Sequence, residues 1–149
     1  MREILFRGKR ADNGEWVEGY YSCRPFISEY EHVITNYREL KRHKGISSIE
    51  YQMNYNEVIP ETVGQYTGIW DNNGENIFEG DIVFCFHYDD VGQVVYLVDE
   101  AKFAVEIKGL HRDFSEIYSG SLAVIGNIHD NPELLGVTDI NIGGKGGAE

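Results

Sequence analysis

The alternation of hydrophobic and polar positions predicts β-strands along most of the chain. From Glu15 to Tyr21, successive side chains point to opposite faces of a strand, with Trp16 and Tyr20 on the same face. Asn13-Gly14 precedes this run and supplies the positive φ angles of a tight turn, which predicts a first hairpin with residues 4–6. Residues 31–37 are predicted as a third strand. In residues 51–56, Tyr51, Met53 and Tyr55 alternate with carboxamide side chains, a pattern that fits an edge strand.

The C-terminal half shows four further strands, at residues 82–88, 93–98, 103–107 and 122–125. In the third of these, Phe103, Val105 and Ile107 alternate with less apolar residues, which predicts one buried and one solvated face. The first is apolar on both faces. Its second face therefore needs a cover, which we expect from the N-terminal half or from another subunit.

Turn and breaker residues separate these strands. Pro60 and the glycines near it predict a turn-rich connection over residues 61–67, and the basic, weakly patterned residues 38–45 predict a loop. Asp130-Asn131-Pro132 followed by Gly136 predicts one helical turn that is capped by Asp130 or Asn131.

These elements predict a mainly β fold, with a β-rich α+β fold as the other possibility. We expect an N-terminal β subdomain at residues 1–60 and an SH3-like β-barrel subdomain with a closing helical turn at 61–135. The barrel is an analogy based on Gly80-Asp81 before an apolar strand and Gly92 before the next. Residues 136–149 are predicted as a flexible, glycine-rich tail.

Composition agrees with a globular protein that needs neither a metal nor a disulfide to fold. The chain has 149 residues, of which 42% are hydrophobic and 13% aromatic. No apolar run approaches the roughly 20 residues of a membrane span, and the N-terminus lacks the apolar region of a signal peptide. Cys23 and Cys85 match no metal spacing, and we expect both to be reduced cytosolic thiols that are packed rather than paired.

The net charge of −12 is spread unevenly. Residues 45–101 contain eleven acidic residues and neither Lys nor Arg. Such a segment repels phosphates, which disfavours generic nucleic-acid binding. The acids either keep the protein soluble or imitate the charge of a DNA duplex to occupy a host DNA-binding protein.

Few residues suggest catalytic or metal chemistry. His87, Asp89 and Asp90 are weak candidates for a metal site, but acids in a loop before a glycine are also ordinary turn residues. Glu79 and Asp81 can form a carboxylate pair, although a structural turn at Gly80-Asp81 explains them more simply. No catalytic constellation and no phosphate-binding loop appear, so we predict no catalytic residue and no cofactor.

The first hairpin combines basic and aromatic side chains that suit single-stranded nucleic acid. These residues are Arg7, Lys9, Arg10, Trp16, Tyr20 and Tyr21. The alternative, which we favour, is that Arg7 and Lys9 pair with glutamates across the hairpin while Trp16 enters the core.

Six strings in this order resemble the YopX family of phage and prophage proteins. They are Phe6–Lys9, Asn13–Tyr20, Ile59–Gly68, Asn73-Gly74, Phe78–Val83 and Val124–Leu134. The resemblance runs from Arg2 to about Leu135 and implies a phage or prophage origin, but no established activity. We therefore expect an accessory protein that acts through protein–protein contacts, homo-oligomerisation included. The alternatives are the acidic DNA mimic and an enzyme that acts on a small molecule or nucleotide.

Overall fold

β-Strands dominate the structure, so the prediction of a mainly β fold is confirmed. A computed structural model describes residues 1–25, 30–42, 49–117 and 119–136. Their strands are β1 (Phe6–Lys9), β2 (Trp16–Pro25), β3 (Tyr30–Arg42), β4 (Ile49–Glu57), β5 (Gly64–Trp70), β6 (Asn76–Phe78), β7 (Asp81–Cys85), β8 (Asp90–Leu97), β9 (Lys102–Ile107), β10 (Leu110–Asp113) and β11 (Leu122–Asn127).

Short helical turns connect some of these strands. Three are 3-10 turns, at Pro60–Thr62, Val98–Glu100 and Ser119–Ser121. The backbone divides into two units, Met1–Gln65 and Tyr66–Glu149. No helix in the described part of the chain is long and apolar enough to cross a membrane.

The first unit is an antiparallel sheet in which β2 has two different neighbours. Its first half pairs with β1, ending at Gly19 opposite Phe6. Its second half pairs with β3, beginning at Tyr20 opposite Thr35. Strand β4 continues the sheet beyond β3. The predicted hairpin between β1 and β2 is confirmed, and Gly14 takes a φ of 75° in its turn.

Glycines allow the strands of the first unit to approach closely. A Cβ atom on Gly19 would lie 2.2 Å from the Thr35 carbonyl oxygen, far inside van der Waals contact. At Gly8 a Cβ atom would lie 3.2–3.3 Å from side-chain atoms of Ile34, Val58 and Val63. These glycines lie where the first unit buries Ile34 completely.

The second unit contains a five-stranded antiparallel sheet in the order β10-β9-β8-β7-β11. Among the described residues β10 and β11 are its edges and the sheet is open, so closure into an SH3-like barrel is not confirmed. Buried apolar side chains form the core of this unit. They are Ile77, Val83, Cys85, Val94, Val105, Ile107, Ile117 and Leu122.

Strand β7 is buried on both faces. Ile82 and Val83 point to opposite faces, and each is fully buried within the single chain. No second subunit is therefore needed to cover this strand. The strand ends at Cys85, before the predicted end at residue 88, and Phe86 beyond it is 54% exposed.

Two segments that we predicted as connections are strands. Residues 38–42 belong to β3, while residues 43–45 of the predicted loop lie outside the described residues. Arg38 donates a hydrogen bond from Nη2 to Oε1 of Gln52 on β4 at 2.7 Å. Polar cross-strand pairs of this kind leave no hydrophobic period in the sequence. In the predicted connection over residues 61–67, the 3-10 turn at Pro60–Thr62 agrees with the prediction at its start, whereas the remainder belongs to β5, which runs from Gly64 to Trp70.

The predicted C-terminal helical turn is present at residues 133–136. The side chain of Asn127 organises the approach to it by accepting backbone N–H bonds from His129 at 3.0 Å and Asp130 at 2.9 Å. Asn131 turns its side chain back to accept the Asn127 N–H at 3.2 Å. Residues 137–149, which include nearly all of the predicted tail, lie outside the described residues.

Replacing Gly19 tests the close approach of β2 to β3. Gly19→Ala places a methyl group against a backbone carbonyl that cannot rotate away, so we expect a loss of about 3 kcal/mol or more in the free energy of unfolding. Gly14→Ala is the control, since nothing lies within 4 Å and only the positive φ is strained, at about 1 kcal/mol. Urea unfolding of both variants measures the difference. Equal losses would contradict the close approach.

Candidate functional site

One face of the first unit's sheet presents a cluster of exposed aromatic side chains. Residues opposite each other in an antiparallel pair point to the same face. Tyr20 on β2 lies opposite Thr35 on β3, which lies opposite Tyr55 on β4. Tyr37 likewise lies opposite Met53. We call this surface the tyrosine face. Its residues, which are 44–61% exposed, are Tyr20, Tyr37, Tyr51, Met53 and Tyr55.

Side chains of the tyrosine face contact one another although the face is exposed. The rings of Tyr20 and Tyr37 meet edge to face, with centroids 6.5 Å apart. The Arg24 guanidinium lies 5.7 Å from the centroid of the Tyr55 ring. The surface is therefore partly ordered before anything binds to it.

Acidic side chains accompany the tyrosines on this face. The strand register places four glutamates there: Glu18, Glu31, Glu39 and Glu57. Glu31 is bound by Arg24, with Nη2 to Oε2 at 3.0 Å. The same register places Arg7, Lys9 and Arg24 on this face, so the tyrosines are bordered by charges of both signs, with Glu39 and Glu57 on the side of β3 and β4.

Among the basic and aromatic residues of the first hairpin, Arg7, Lys9, Trp16 and Tyr20 share one face, whereas Tyr21 does not. Arg7 and Lys9 lie over the Trp16 ring, at 4.7 Å and 5.5 Å from its centroid. Trp16 is half-buried, and the register places it on the same face as Tyr20. Tyr21 points to the opposite face, where its hydroxyl and Nδ1 of His32 form a 2.6 Å hydrogen bond.

A polar cavity of about 590 Å³, which we call the carboxamide groove, is lined mainly by residues of the face opposite the tyrosines, together with Met53 and Tyr55 of the tyrosine face. Four of its residues are carboxamides that alternate with the tyrosine-face residues along β3 and β4. The lining is formed by Arg10, Val17, Asn36, Arg38, Gln52, Met53, Asn54, Tyr55 and Asn56. Both amide edges and guanidinium groups thus border the same space.

Hydrogen bonds to the backbone fix two of the carboxamides. Asn36 donates from Nδ2 to the Glu18 carbonyl and Asn56 donates to the Ile34 carbonyl, each at 3.1 Å. Among the described residues, Arg38 bonds a neutral amide and no carboxylate. None of the described residues lining the groove is Asp, Glu, His or Cys. The groove can bind a polar ligand but lacks groups for acid–base chemistry near neutral pH.

The weak metal candidates lie in and just after the turn that follows β7. Asp90 accepts hydrogen bonds from Lys108 Nζ at 3.1 Å and from the Val91 N–H at 2.8 Å, so each of its carboxylate oxygens already has a partner. His87 packs edge-on against Tyr88. Within the described ranges no group of three or more His, Cys, Asp and Glu side chains is placed to hold a metal ion. The structure does not assemble His87, Asp89 and Asp90 into a ligand set.

Glu79 and Asp81 take part in a structural turn. Asp81 is 1% exposed, and its Oδ2 accepts the Phe78 N–H at 2.7 Å. Gly80 between them takes a φ of 93°, and β7 begins directly after it. This geometry confirms the turn interpretation of Gly80-Asp81.

Sequence reasoning missed the structural role of Asp71, which is 3% exposed. Its carboxylate accepts backbone N–H bonds from Asn73 at 2.8 Å, Glu75 at 2.9 Å and Val124 at 2.9 Å. Burial alone would raise the pKa of Asp71, but these three donors outweigh it and lower the pKa below its ordinary value. Asp71 thereby ties its turn to β11.

Comparisons with known proteins identify a matching family model and a similar solved structure. A family model described as "YopX protein" matches residues 5–136. The solved structure titled "Crystal structure of protein EF1440 from Enterococcus faecalis" is similar, with 27% sequence identity and a TM-score of 0.55. That match covers 91% of this chain and 99% of the other. No curated protein matches the sequence.

The pH dependence of stability tests the role of Asp71. Because its pKa is lowered on folding, its contribution is present above the unfolded pKa of about 3.9 and is lost as the pH falls through the lower folded pKa. Asp71→Asn should reduce the free energy of unfolding by about 2–3 kcal/mol at neutral pH, and by less in acid. Urea unfolding across pH measures this. The exposed Asp99→Asn is the control, and a pH-independent loss in Asp71→Asn would contradict the assignment.

Proposed function

We propose that the chain, which belongs to the YopX protein family, is a non-enzymatic binding protein that recognises another protein through its tyrosine face. The observation that carries this proposal is the exposure of four tyrosines and a methionine on one face of β2, β3 and β4. Tyr, Met and Arg are enriched in protein interfaces, whereas solvated sheet faces usually carry polar side chains. Burying large aromatic side chains also supplies most of the energy at interface hot spots.

The charges around the tyrosine face indicate the chemistry of the partner. Glu18, Glu39 and Glu57 are exposed on this face, and the whole chain carries a net charge of −12. A protein with an apolar patch bordered by Lys and Arg complements this arrangement. Nucleic acid complements the β3–β4 part of the face less well, because its phosphates would meet Glu39 and Glu57 there, while Arg7 and Lys9 lie at the β1 end.

The absence of acid–base groups from the described lining of the carboxamide groove supports a binding role rather than catalysis. Asp81, the most buried of the carboxylates considered for catalysis, is used within a turn. We place the protein in the bacterial cytoplasm in a phage or prophage setting, on the strength of the family resemblance. The free thiols of Cys23 and Cys85 are consistent with a reducing compartment.

We interpret the second unit as an SH3-like module. Strands β7 to β10 form a meander, and β11 returns beside β7 after the 3-10 turn at Ser119–Ser121. This strand order supports the analogy with an SH3-like fold. The analogy concerns the fold alone and implies no activity.

DNA mimicry ranks below protein recognition through the tyrosine face. A mimic needs its carboxylates exposed in a regular row. Asp71 and Asp81 are buried and hydrogen-bonded to the backbone, and Asp90 is bound to Lys108. Three of the eleven acids in residues 45–101 are therefore unavailable for such a row.

A second candidate function is the binding of a small anionic ligand in the carboxamide groove. The volume of about 590 Å³ lies in the range of small-molecule sites. Arg38 offers a charge for a phosphate, and neighbouring carboxamides offer the paired donor and acceptor that suit the edge of a nucleobase. A nucleoside monophosphate combines both features.

Removing two rings from the tyrosine face tests the proposed recognition. The tagged protein is used to capture proteins from a nuclease-treated bacterial lysate, and bound proteins are quantified by mass spectrometry. We expect Tyr37→Ser/Tyr55→Ser to reduce capture of a specific partner by roughly tenfold or more, because buried tyrosines are frequent hot spots. Capture should also weaken with added salt, since the glutamates contribute to it.

The matched control removes equally exposed apolar side chains from the second unit. Phe86 and Leu110 are 54% and 58% exposed, so Phe86→Ser/Leu110→Ser changes surface hydrophobicity to a similar extent. Capture that depends on Phe86 and Leu110, or that is unaffected by the two tyrosine substitutions, would contradict recognition through the tyrosine face.

Titration with adenosine monophosphate tests the carboxamide groove. Chemical-shift changes of the Asn36 and Asn54 side-chain amides should saturate, and Arg38→Gln should weaken binding by about tenfold because a charged phosphate contact is lost. Arg112→Gln in the second unit is the control. Unchanged amide shifts at millimolar nucleotide, or equal affinity in Arg38→Gln, would exclude this ligand class from the groove.

A further inference from the structure

Three tyrosines of the tyrosine face have a regular spacing across the sheet. Tyr20 and Tyr55 flank Thr35 in one row across β2, β3 and β4. Their Cα atoms are therefore separated by two strand spacings, which is about 9.6 Å. Tyr37, two residues beyond Thr35 on β3, meets the Tyr20 ring at an interplanar angle of 65°. Tyr55 is 61% exposed although Arg24 lies beside its ring, so it can still receive a ligand.

The backbone of the sheet limits the kind of ligand that this face can bind. Around Thr35 the backbone of β3 pairs with β2 on one side and with β4 on the other. The face therefore offers tyrosine rings and hydroxyl groups, whereas an added strand needs a line of backbone partners. A polyproline II segment needs no such line, because it has no internal hydrogen bonds and its prolines carry no N–H. Its proline rings pack on aromatic rings, and its carbonyl oxygens accept hydrogen bonds from tyrosine hydroxyls.

Resting on the proposed recognition through the tyrosine face, we propose that this face binds a proline-rich segment of the partner protein in the polyproline II conformation. Such a segment has three residues per turn and rises about 3.1 Å per residue, so equivalent residues lie about 9.3 Å apart. This repeat matches the separation of Tyr20 and Tyr55 across the sheet. A Pro-x-x-Pro segment that crosses the strands places its two prolines on these two tyrosines.

Charge indicates which residues accompany the prolines. Each of the three tyrosines has an exposed glutamate two residues away on its own strand and face. The pairs are Tyr20 with Glu18, Tyr37 with Glu39 and Tyr55 with Glu57. Two residues along a strand span about 6.6 Å, a distance that a Lys or Arg side chain next to a bound proline can reach. The segment therefore carries Lys or Arg among its prolines.

Titration with a synthetic peptide tests this class of ligand. The probe is a nonapeptide of three Pro-Pro-Arg repeats, and its binding is measured by calorimetry and by the ring-proton chemical shifts of Tyr20, Tyr37 and Tyr55. We expect saturable binding that shifts all three rings. Tyr37→Ser/Tyr55→Ser should weaken the affinity by about tenfold, because two contact rings are lost. Phe86→Ser/Leu110→Ser is the matched control and should bind the peptide as the wild type does.

Two further peptides separate polyproline recognition from simple attraction to the net charge of −12. Three Gly-Gly-Arg repeats keep the charge of the probe but not its preorganised backbone, and should bind at least tenfold more weakly. Three Pro-Pro-Glu repeats keep the conformation and reverse the charge, and should also bind at least tenfold more weakly. Equal affinity for the Gly-Gly-Arg peptide, equal affinity in the tyrosine variant, or no binding at millimolar Pro-Pro-Arg peptide would overturn the inference.

Competition distinguishes failure of this inference from failure of the proposed function. The Pro-Pro-Arg peptide is added to the lysate capture experiment, and we expect it to displace the captured partner. Capture that requires Tyr37 and Tyr55 but resists saturating peptide would overturn the proline-rich ligand and leave recognition through the tyrosine face intact. Capture that is indifferent to both tyrosines would contradict the proposed function itself.

Discussion

The close approach of Gly19 on β2 to Thr35 on β3 is the constraint on which the first unit depends. Strand β2 pairs with β1 up to Gly19 and with β3 from Tyr20 onward. At the change of partner, the backbone of Gly19 lies against the Thr35 carbonyl, where no side chain fits. This close approach lets the buried Ile34 side chain pack against Gly8 of β1. Beyond Thr35, strand β3 pairs with β4 alone among the described residues. The two strands form a ribbon with two different faces.

The two faces of this ribbon suit different ligands. One exposes tyrosines and a methionine beside glutamates, which favours the surface of a basic protein over nucleic acid. The other holds carboxamides and Arg38 around a polar cavity, which suits a small anion with amide-like edges. The second unit, in contrast, uses Asp71 and Asp81 to order its turns, so its acids act first as structural groups.

Local signals were enough to predict most strands but not the candidate surfaces. Asn13-Gly14 identified the first hairpin, but the turn spans Arg10 to Glu15 and only Gly14 takes the positive φ that the pair predicted at both residues. The extension of β3 through Arg38 was missed, since its stabilising bond to Gln52 leaves no hydrophobic period. Asp71 could not be assigned because its third donor, Val124, lies 53 residues away in the sequence. The tyrosine face likewise depends on the register of three strands, although the alternation of residues 51–56 pointed to part of it.

Hydroxyl-radical footprinting of the tyrosine side chains tests the central claim most directly, which is that the tyrosine face is the surface that a partner protein covers. In the purified complex with a captured partner, Tyr20 and Tyr37 should become protected relative to the protein alone, while Trp70 and Phe86 in the second unit should react as before. Unchanged reactivity of both tyrosines in a stable complex would show that the partner binds elsewhere and would contradict the account.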